Sequence, residues 1–496
     1  MMLSLVLCTQ IKHQIFLAMN TFKNLRAFGL VIAASSLLLV SCDDDDSPEP
    51  GPSATATLFT DGTDAATGLP STSIVDRGEG IGTRTLTNDR VWILDGFAFV
   101  SPGQTVTIEP GTIIKGEGGQ GSAASAFIVS RGGRCIADGA ADAPIIFTYE
   151  GDPLGNNDET TPIAERGLWG GVIVLGNASL NSTPGETAIE GIPTSETRGL
   201  YGGNDDDDDS GIFRYISIRH GGTDIGAGNE INGLTLGGVG RGTVVEYVEV
   251  VGNVDDGVEW FGGTVDCKHL IVTGAGDDSY DYDEGWRGRV QYSVAIQDPA
   301  IGDRGGEHDG GTDPETGTPF ATPVFFNSTY VGRGLEAGTR LITMRDNAGG
   351  EYHNSIFVNF AQAVDIEKLT TEGDSYKMFQ DGLLAFAGNI FYDVVNPGTA
   401  STAADLFKVA GGDVDQNEIF ALSFAANGNV VTNPELTYSG SNLTEVVSTL
   451  NLIPSIAATG GAVATDEFFD NVTYRGAFAP GGTNWAQGWT KTFGDR

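Results

Sequence analysis

Basic side chains are scarce: 27 Lys and Arg stand against 66 Asp and Glu in 496 residues, a formal net charge of −39. Three of the basic residues (Lys12, Lys23, Arg26) lie in positions 1–41, which hold no acidic ones. The remainder carries 27 − 3 = 24 basic against 66 acidic, or −42. Such a surface repels phosphate backbones and anionic headgroups, which argues against a nucleic-acid partner. It favours divalent cations, cationic partners or neutral ligands, although acidity also serves solubility alone. Cysteine is nearly absent too. After Cys42 only Cys135 and Cys267 remain, both in strand-like runs, which predicts buried free thiols rather than a disulfide framework. None of the five histidines is spaced like His-x₃-His, which argues against zinc. His220 and His308 are expected in turns, and His269 is expected to pack. Long amphipathic helical patterns are missing beyond the N-terminus.

What is present is glycine (72 residues) and short bursts of Val, Ile, Thr, Phe and Tyr between Gly/Asn/Asp clusters. That alternation predicts strands and turns. One stretch repeats itself. Gly252-Asn-Val-Asp255-Asp256-Gly-Val-Glu259 returns as Gly274-Ala-Gly-Asp277-Asp278-Ser-Tyr-Asp281, an offset of 277 − 255 = 22 residues. Glu246-Tyr247-Val-Glu-Val250 returns as Lys268-His269-Leu-Ile-Val272 at the same offset. Two features sharing one offset predict a repeated coil, a short strand with an acidic turn.

At the N-terminus, Met19 to Arg26 form a basic n-region and Ala27 to Val40 an apolar segment of signal-peptide length, too short for a membrane span. Leu39-Val40-Ser41-Cys42 resembles the bacterial lipobox, which implies a lipid on Cys42 and anchorage in a membrane. Met19 reads as the start, with residues 1–18 as an upstream extension. The run Asp43–Asp46 resembles the acidic export tag of surface lipoproteins in the Bacteroidetes, which implies the outer membrane and the cell surface. Residues 1–41 are thus a lipoprotein signal peptide, and 42–73 a lipid anchor and disordered tether.

From Val91 onward, Val91–Gly103 and Gln104–Gly116 are short strands with Pro-Gly turns, followed by similar runs at Ala126–Gly139, Ala143–Thr148 and Gly167–Gly176. Tyr215, Tyr247, His269 and Tyr292 share one corner position ahead of a strand. Asn327, Asn354, Asn389 and Asn429 then take that position at steps of 27, 35 and 40 residues. Stacked asparagines there are expected to hydrogen-bond from coil to coil. These runs resemble right-handed parallel β-helix proteins of bacterial surfaces. The resemblance implies an all-β solenoid over 74–467 with turn insertions. It also implies an aromatic capping segment over 468–496, laid across the open last coil.

Coils stacked about 4.8 Å apart would set like charges face to face. Asp255, Asp256, Glu259, Asp277, Asp278, Asp281 and Asp283 are therefore candidate ligands for Ca²⁺, which takes six to eight oxygens at roughly 2.3–2.6 Å. Pairing with Arg287 or Arg289 would neutralise the same carboxylates, and a solvated edge of self-capping turns is the third reading. The run Asn204–Asp209 is a second acidic loop, either solvated or loosely cation-binding. Trp260, Tyr280, Tyr282 and Trp286 flank the acidic turns and are candidate ligand-binding aromatics if exposed; inward packing is the alternative. Two functions follow. One is a non-enzymatic, Ca²⁺-stabilised binding or adhesion scaffold for a polysaccharide or an envelope protein. The other is a polysaccharide lyase or glycoside hydrolase with Asp256, Asp278 and Arg287 as catalytic candidates. The Gly-His-Gly and Arg-x-Lys motifs of the polygalacturonase-like hydrolases are missing, and so is a pectate-lyase signature.

Overall fold

A computed structural model describes residues 56–154, 160–225, 230–370 and 373–494. Cys42, the signal segment and the acidic run behind it lie outside the described residues. The described chain is a parallel β-helix. One face is a ten-stranded parallel sheet running from Phe97–Val100 to Phe407–Ala410. The other two faces belong to one larger sheet, because strands such as Gly211–Arg219 and Val244–Val251 turn a corner without breaking.

Short strands follow from the turn chemistry. In Pro102-Gly103 and Pro110-Gly111 proline presets φ, and each glycine sits at φ +79°, the left-handed value that the third residue of a type II turn needs. Alternate strand residues then point inward, and in-register stacking places each on its counterpart one coil away. Val258 lies on Tyr280, and Trp260 on Tyr282. The apolar column so formed runs the length of the solenoid, from Ile74 to Phe424. Cys135 and Cys267 are buried in it as free thiols.

The predicted corner position is real, and its backbone is left-handed as far as Asn354 but not at Asn389 or Asn429. Tyr215, Tyr247, His269, Tyr292, Asn327 and Asn354 have φ between +50° and +65°. Asparagine tolerates this region, whereas bulky residues lose roughly 1–2 kcal/mol there. The aromatic four offset that by stacking, with ring centroids 4.4, 4.1 and 4.8 Å apart in series. His269 thus packs as expected, and burial lowers its pKa to about 4. The expected asparagine ladder is direct at one step, where Asn389 Nδ2 donates to Asn429 Oδ1 at 3.0 Å. Asn327 and Asn354 instead donate to the carbonyls of Tyr474 and Ala462.

Those two bonds belong to a C-terminal strap, which corrects the expected cap. Residues 459–494 do not lie across the last coil; they run back along the corner column. Trp485 packs edge-on against Tyr247 and His269, and Trp489 against Tyr215 and Tyr247. The amides of Lys491 and Thr492 both donate to Glu249 at 2.9 Å. The last coil is covered by the helix Val414–Ala426, whose Phe424 stacks on Phe407 at 3.8 Å. Helix and strap divide the work because a strand end needs apolar cover, whereas left-handed corners need hydrogen-bond partners.

The expected tether also ends early. Leu58–Thr63 pairs antiparallel with Pro70–Val75, and Asp64 in the connecting turn reaches into the solenoid. There Lys115 Nζ meets Asp64 Oδ2 at 2.9 Å and the carbonyl of Asp152 at 2.7 Å, with both side chains at most 1% exposed. Removing one partner of a buried pair strands the other. Asp64→Ala should therefore cost about 3–5 kcal/mol in denaturant unfolding, whereas the exposed ion pair Lys377–Asp381 should tolerate Asp381→Ala with under about 1 kcal/mol lost.

Candidate metal centre

The acidic turns precede the strands Val258–Phe261, Tyr280–Asp283 and Gly306–Asp309 of the ten-stranded face. The second aspartate of each Asp-Asp pair, Asp256 and Asp278, builds a ladder. Asn232 Oδ1 accepts from Asp256 N at 3.3 Å, Asp256 Oδ1 from Asp278 N at 2.9 Å, and Asp278 Oδ1 from Arg304 N. Each carboxylate so caps the backbone of the next coil rather than its own. One oxygen of each aspartate is committed to this ladder.

Beside the ladder runs an outward column in register: Glu259, Asp281, Glu307. Ladder and column interleave, so that oxygens of Asp255, Asp256 and Asp277 lie within 4.8 Å of one another, as do those of Asp256, Glu259 and Asp281. Asp277, Asp278 and Asp303 form a third such group, and Asp278, Asp281 and Glu307 a fourth. Solvent does not relieve the crowding, because Asp256 is 6%, Glu259 7% and Asp278 1% exposed. Burial first, then neighbouring carboxylates, push the carboxyls of Asp256, Glu259, Asp278 and Asp281 well above the usual range. The same causes raise Asp255 to about 7.

Along the ridge the two halves differ. Downstream, Arg304 contacts Asp303 at 2.7 Å and Glu307 at 3.0 Å, and Arg345 contacts Glu307 at 2.8 Å and Asp309 at 2.6 Å. Upstream, Asp255, Asp256, Glu259, Asp277 and Asp281 form no ion pair with any described residue. Glu190 joins that half through Asn232, whose Nδ2 donates to Glu190 Oε1 at 2.7 Å and also to Glu259 Oε2. Asp281 Oδ1 is buried and has no hydrogen-bond partner.

Several expectations change here. Arg287 is not at the ridge: its guanidinium donates to Asp206 Oδ2 at 2.6 Å and Ser179 Oγ at 2.8 Å. Arg289 is held by Asp266 and Asp466. Arg304 and Arg345 take the neutralising part in their place. Trp260, Tyr280, Tyr282 and Trp286 are each 0% exposed and fill the interior column, so they offer no surface to a ligand. Trp260 stacks on Trp286 at 4.3 Å, and Tyr282 on His308 at 4.2 Å. His308, expected in a turn, is an inward strand residue hydrogen-bonded to Tyr352. Asp283 stands apart in the second outward column, where Thr312 donates to it at 2.6 Å. The Asn204–Asp209 loop is stitched to the solenoid by Asp206, Asp208 and Asp209 rather than standing free. The 22-residue offset conceals Glu307, since 281 − 259 = 22 but 307 − 281 = 26.

The donor set suits Ca²⁺. All the candidate ligand atoms are carboxylate oxygens, with no His or Cys among them. A Ca–O bond of about 2.4 Å lets oxygens on opposite sides of one ion lie about 4.8 Å apart. The orphaned oxygen of Asp281 points to the same fit.

A family profile described as a pectate-lyase-like beta helix domain matches residues 79–490. Neither a curated protein nor a solved structure matches the chain.

The raised carboxyls set a pH dependence. In metal-free protein they hold protons that the unfolded chain has released, so stability falls as pH rises through their folded values. His220 and His269, lowered to about 4 from 6.5, act oppositely, but only below pH 6.5. Thermal unfolding in chelator should therefore show a falling melting temperature from pH 6.5 to about 8. A flat or rising curve would remove the crowded ridge.

Proposed function

The chain belongs to the family of pectate-lyase-like β-helix domains, and from that footing we propose that it is a non-enzymatic binding or adhesion scaffold. A lipid on Cys42 anchors it at the outer membrane, exposed on the cell surface. Ca²⁺ holds its acidic face, and its flank is presented to a glycan or an envelope partner. The observation that carries the ion is the upstream half of the ridge. Six carboxylates (Glu190, Asp255, Asp256, Glu259, Asp277, Asp281) crowd together there with no ion pair among the described residues, and only Asp277 feels a nearby guanidinium, that of Arg304. Either protons or a cation must occupy them near neutral pH, and a divalent ion neutralises two charges at one point.

The arrangement of arginines supports binding over cleavage. Arg287, the candidate catalytic base, is committed to Asp206 and to carbonyls. Arg304, which does touch Asp278, has its pKa raised by Asp278, Glu307 and Asp303 against the opposing effect of burial. A guanidinium so held keeps its proton and does not abstract another. Asp256 and Asp278 each spend an oxygen on the backbone of the next coil, a structural duty that a general acid would interrupt.

Calorimetry with and without Ca²⁺ tests this reading. Free Ca²⁺ at a hundred times Kd should stabilise the wild type by about 2.7 kcal/mol. Asp281→Asn should weaken Ca²⁺ binding about tenfold or more, yet raise stability in chelator, because it removes a crowded charge without disturbing the ladder. A melting temperature indifferent to Ca²⁺ would remove the ion. New reducing ends or unsaturated products from acidic or neutral polysaccharides would overturn the non-enzymatic assignment.

A further inference from the structure

One lysine closes the seam between the N-terminal hairpin and the coils. Pro70–Val75 stacks on Val91–Leu94, which stacks on Ile113–Gly116, so Asp64 in the hairpin turn reaches two coils along to meet Lys115. Lys115 is 0% and Asp64 1% exposed. Two opposite charges held away from water are costly even when paired, and a neutral link between the same atoms carries no such cost.

The surroundings are arranged for that link. Lys115 Nζ donates to the carbonyls of Asp152 at 2.7 Å and Glu150 at 3.2 Å. A neutral amine has two N–H bonds. These carbonyls take both, which leaves the lone pair to the side of Asp64. The Asp64 carboxyl is itself divided. Its Oδ2, 2.9 Å from Nζ, accepts from the amide of Thr67 at 2.8 Å and from the Thr67 hydroxyl. That hydroxyl is oriented by accepting in turn from the amide of Leu69 at 3.3 Å. Oδ1 is buried and has no hydrogen-bond partner among the described residues. One oxygen thus sits between two donors, as the oxyanion of an acyl transfer does, and the other is held by nothing.

We propose that Lys115 and Asp64 become joined by an isopeptide bond that the protein forms itself. One ammonium proton passes to Asp64, giving an amine and a carboxylic acid. Nζ attacks Cγ, and the negative charge gathers on Oδ2 between the Thr67 donors. A second proton from the nitrogen moves to the Oδ1 hydroxyl, the Cγ–Oδ1 bond breaks, and water leaves. Oδ2 remains as the amide oxygen. Ammonium and carboxylate give amide and water, so the step balances without an oxidant or a cofactor. It stands independently of the scaffold reading. Its effect is mechanical: a pull on the chain ahead of Leu58 can peel Leu58–Thr63 from Pro70–Val75, but it stops at Asp64 and passes straight to Lys115.

Intact-mass spectrometry of the denatured full chain tests the bond. The wild type should be one water lighter than the sum of its residues, and a protease digest should contain a branched peptide joining the segments around Asp64 and Lys115. Lys115→Arg should show its full mass. Thr67→Val keeps the shape and the amide but removes the hydroxyl donor, so it should form the bond at least about tenfold more slowly. Wild type at full mass would overturn the proposal and leave a plain ion pair. So would a water lost equally from Lys115→Arg, which would place the dehydration elsewhere, as at Asp61-Gly62. The branched peptide is read in the wild type, so the result does not depend on whether Lys115→Arg folds. A bond formed as fast in Thr67→Val as in the wild type would overturn the part given to the hydroxyl.

Discussion

Everything in this solenoid depends on parallel register, which sets each side chain on its own counterpart one coil away. For apolar residues that arrangement is favourable at every step: Trp260 on Tyr282, and Tyr282 on His308, each bury the other. For polar turn residues it can be made favourable, as where Asp256 caps the amide of Asp278. For the outward carboxylates it is unfavourable, since Glu259, Asp281 and Glu307 are brought into line by the same spacing that serves the core. The ridge is therefore a consequence of the fold's own geometry, and a positive charge lying against it relieves the crowding. Arginine does so downstream.

The regular part of this was legible in the chain. A 22-residue offset shared by a strand and a turn located the coils, and it correctly set Asp255 beneath Asp277 and Glu259 beneath Asp281. Legibility stopped where insertions changed the step. Glu307 lies one coil further on, but 26 residues away, so it carried no periodic mark. Glu190 comes from an insertion, and Asn232, the rung before Asp256 in the same ladder, is set 258 − 234 = 24 residues back instead of 22 and is not acidic. Direction of side chains was the other gap. Trp260 and Phe261 are adjacent and face opposite ways, and only the strand register decides which of them is inside. Arg287 was misplaced for the same reason: proximity in sequence to Asp283 does not survive the turn that separates them.

The two ends of the described chain obey different physics. At the N-terminal side a buried lysine, Lys115, ties a hairpin to the first coils through one carboxylate and backbone carbonyls. At the C-terminal side, helix Val414–Ala426 supplies phenylalanines to a column that would otherwise end in water.

The backward-running strap has one more effect. A stack of coils touching only nearest neighbours would open from whichever end is weakest, one layer at a time. Here the final residues bind Glu249, Tyr215 and Tyr247, far upstream in the chain, so the middle coils cannot loosen without tearing off their outer seam. During synthesis those coils exist before the seam does, and they acquire it only when the last segment arrives. Unravelling and assembly are thus not mirror images: the molecule is built layer by layer but is locked in a single closing act.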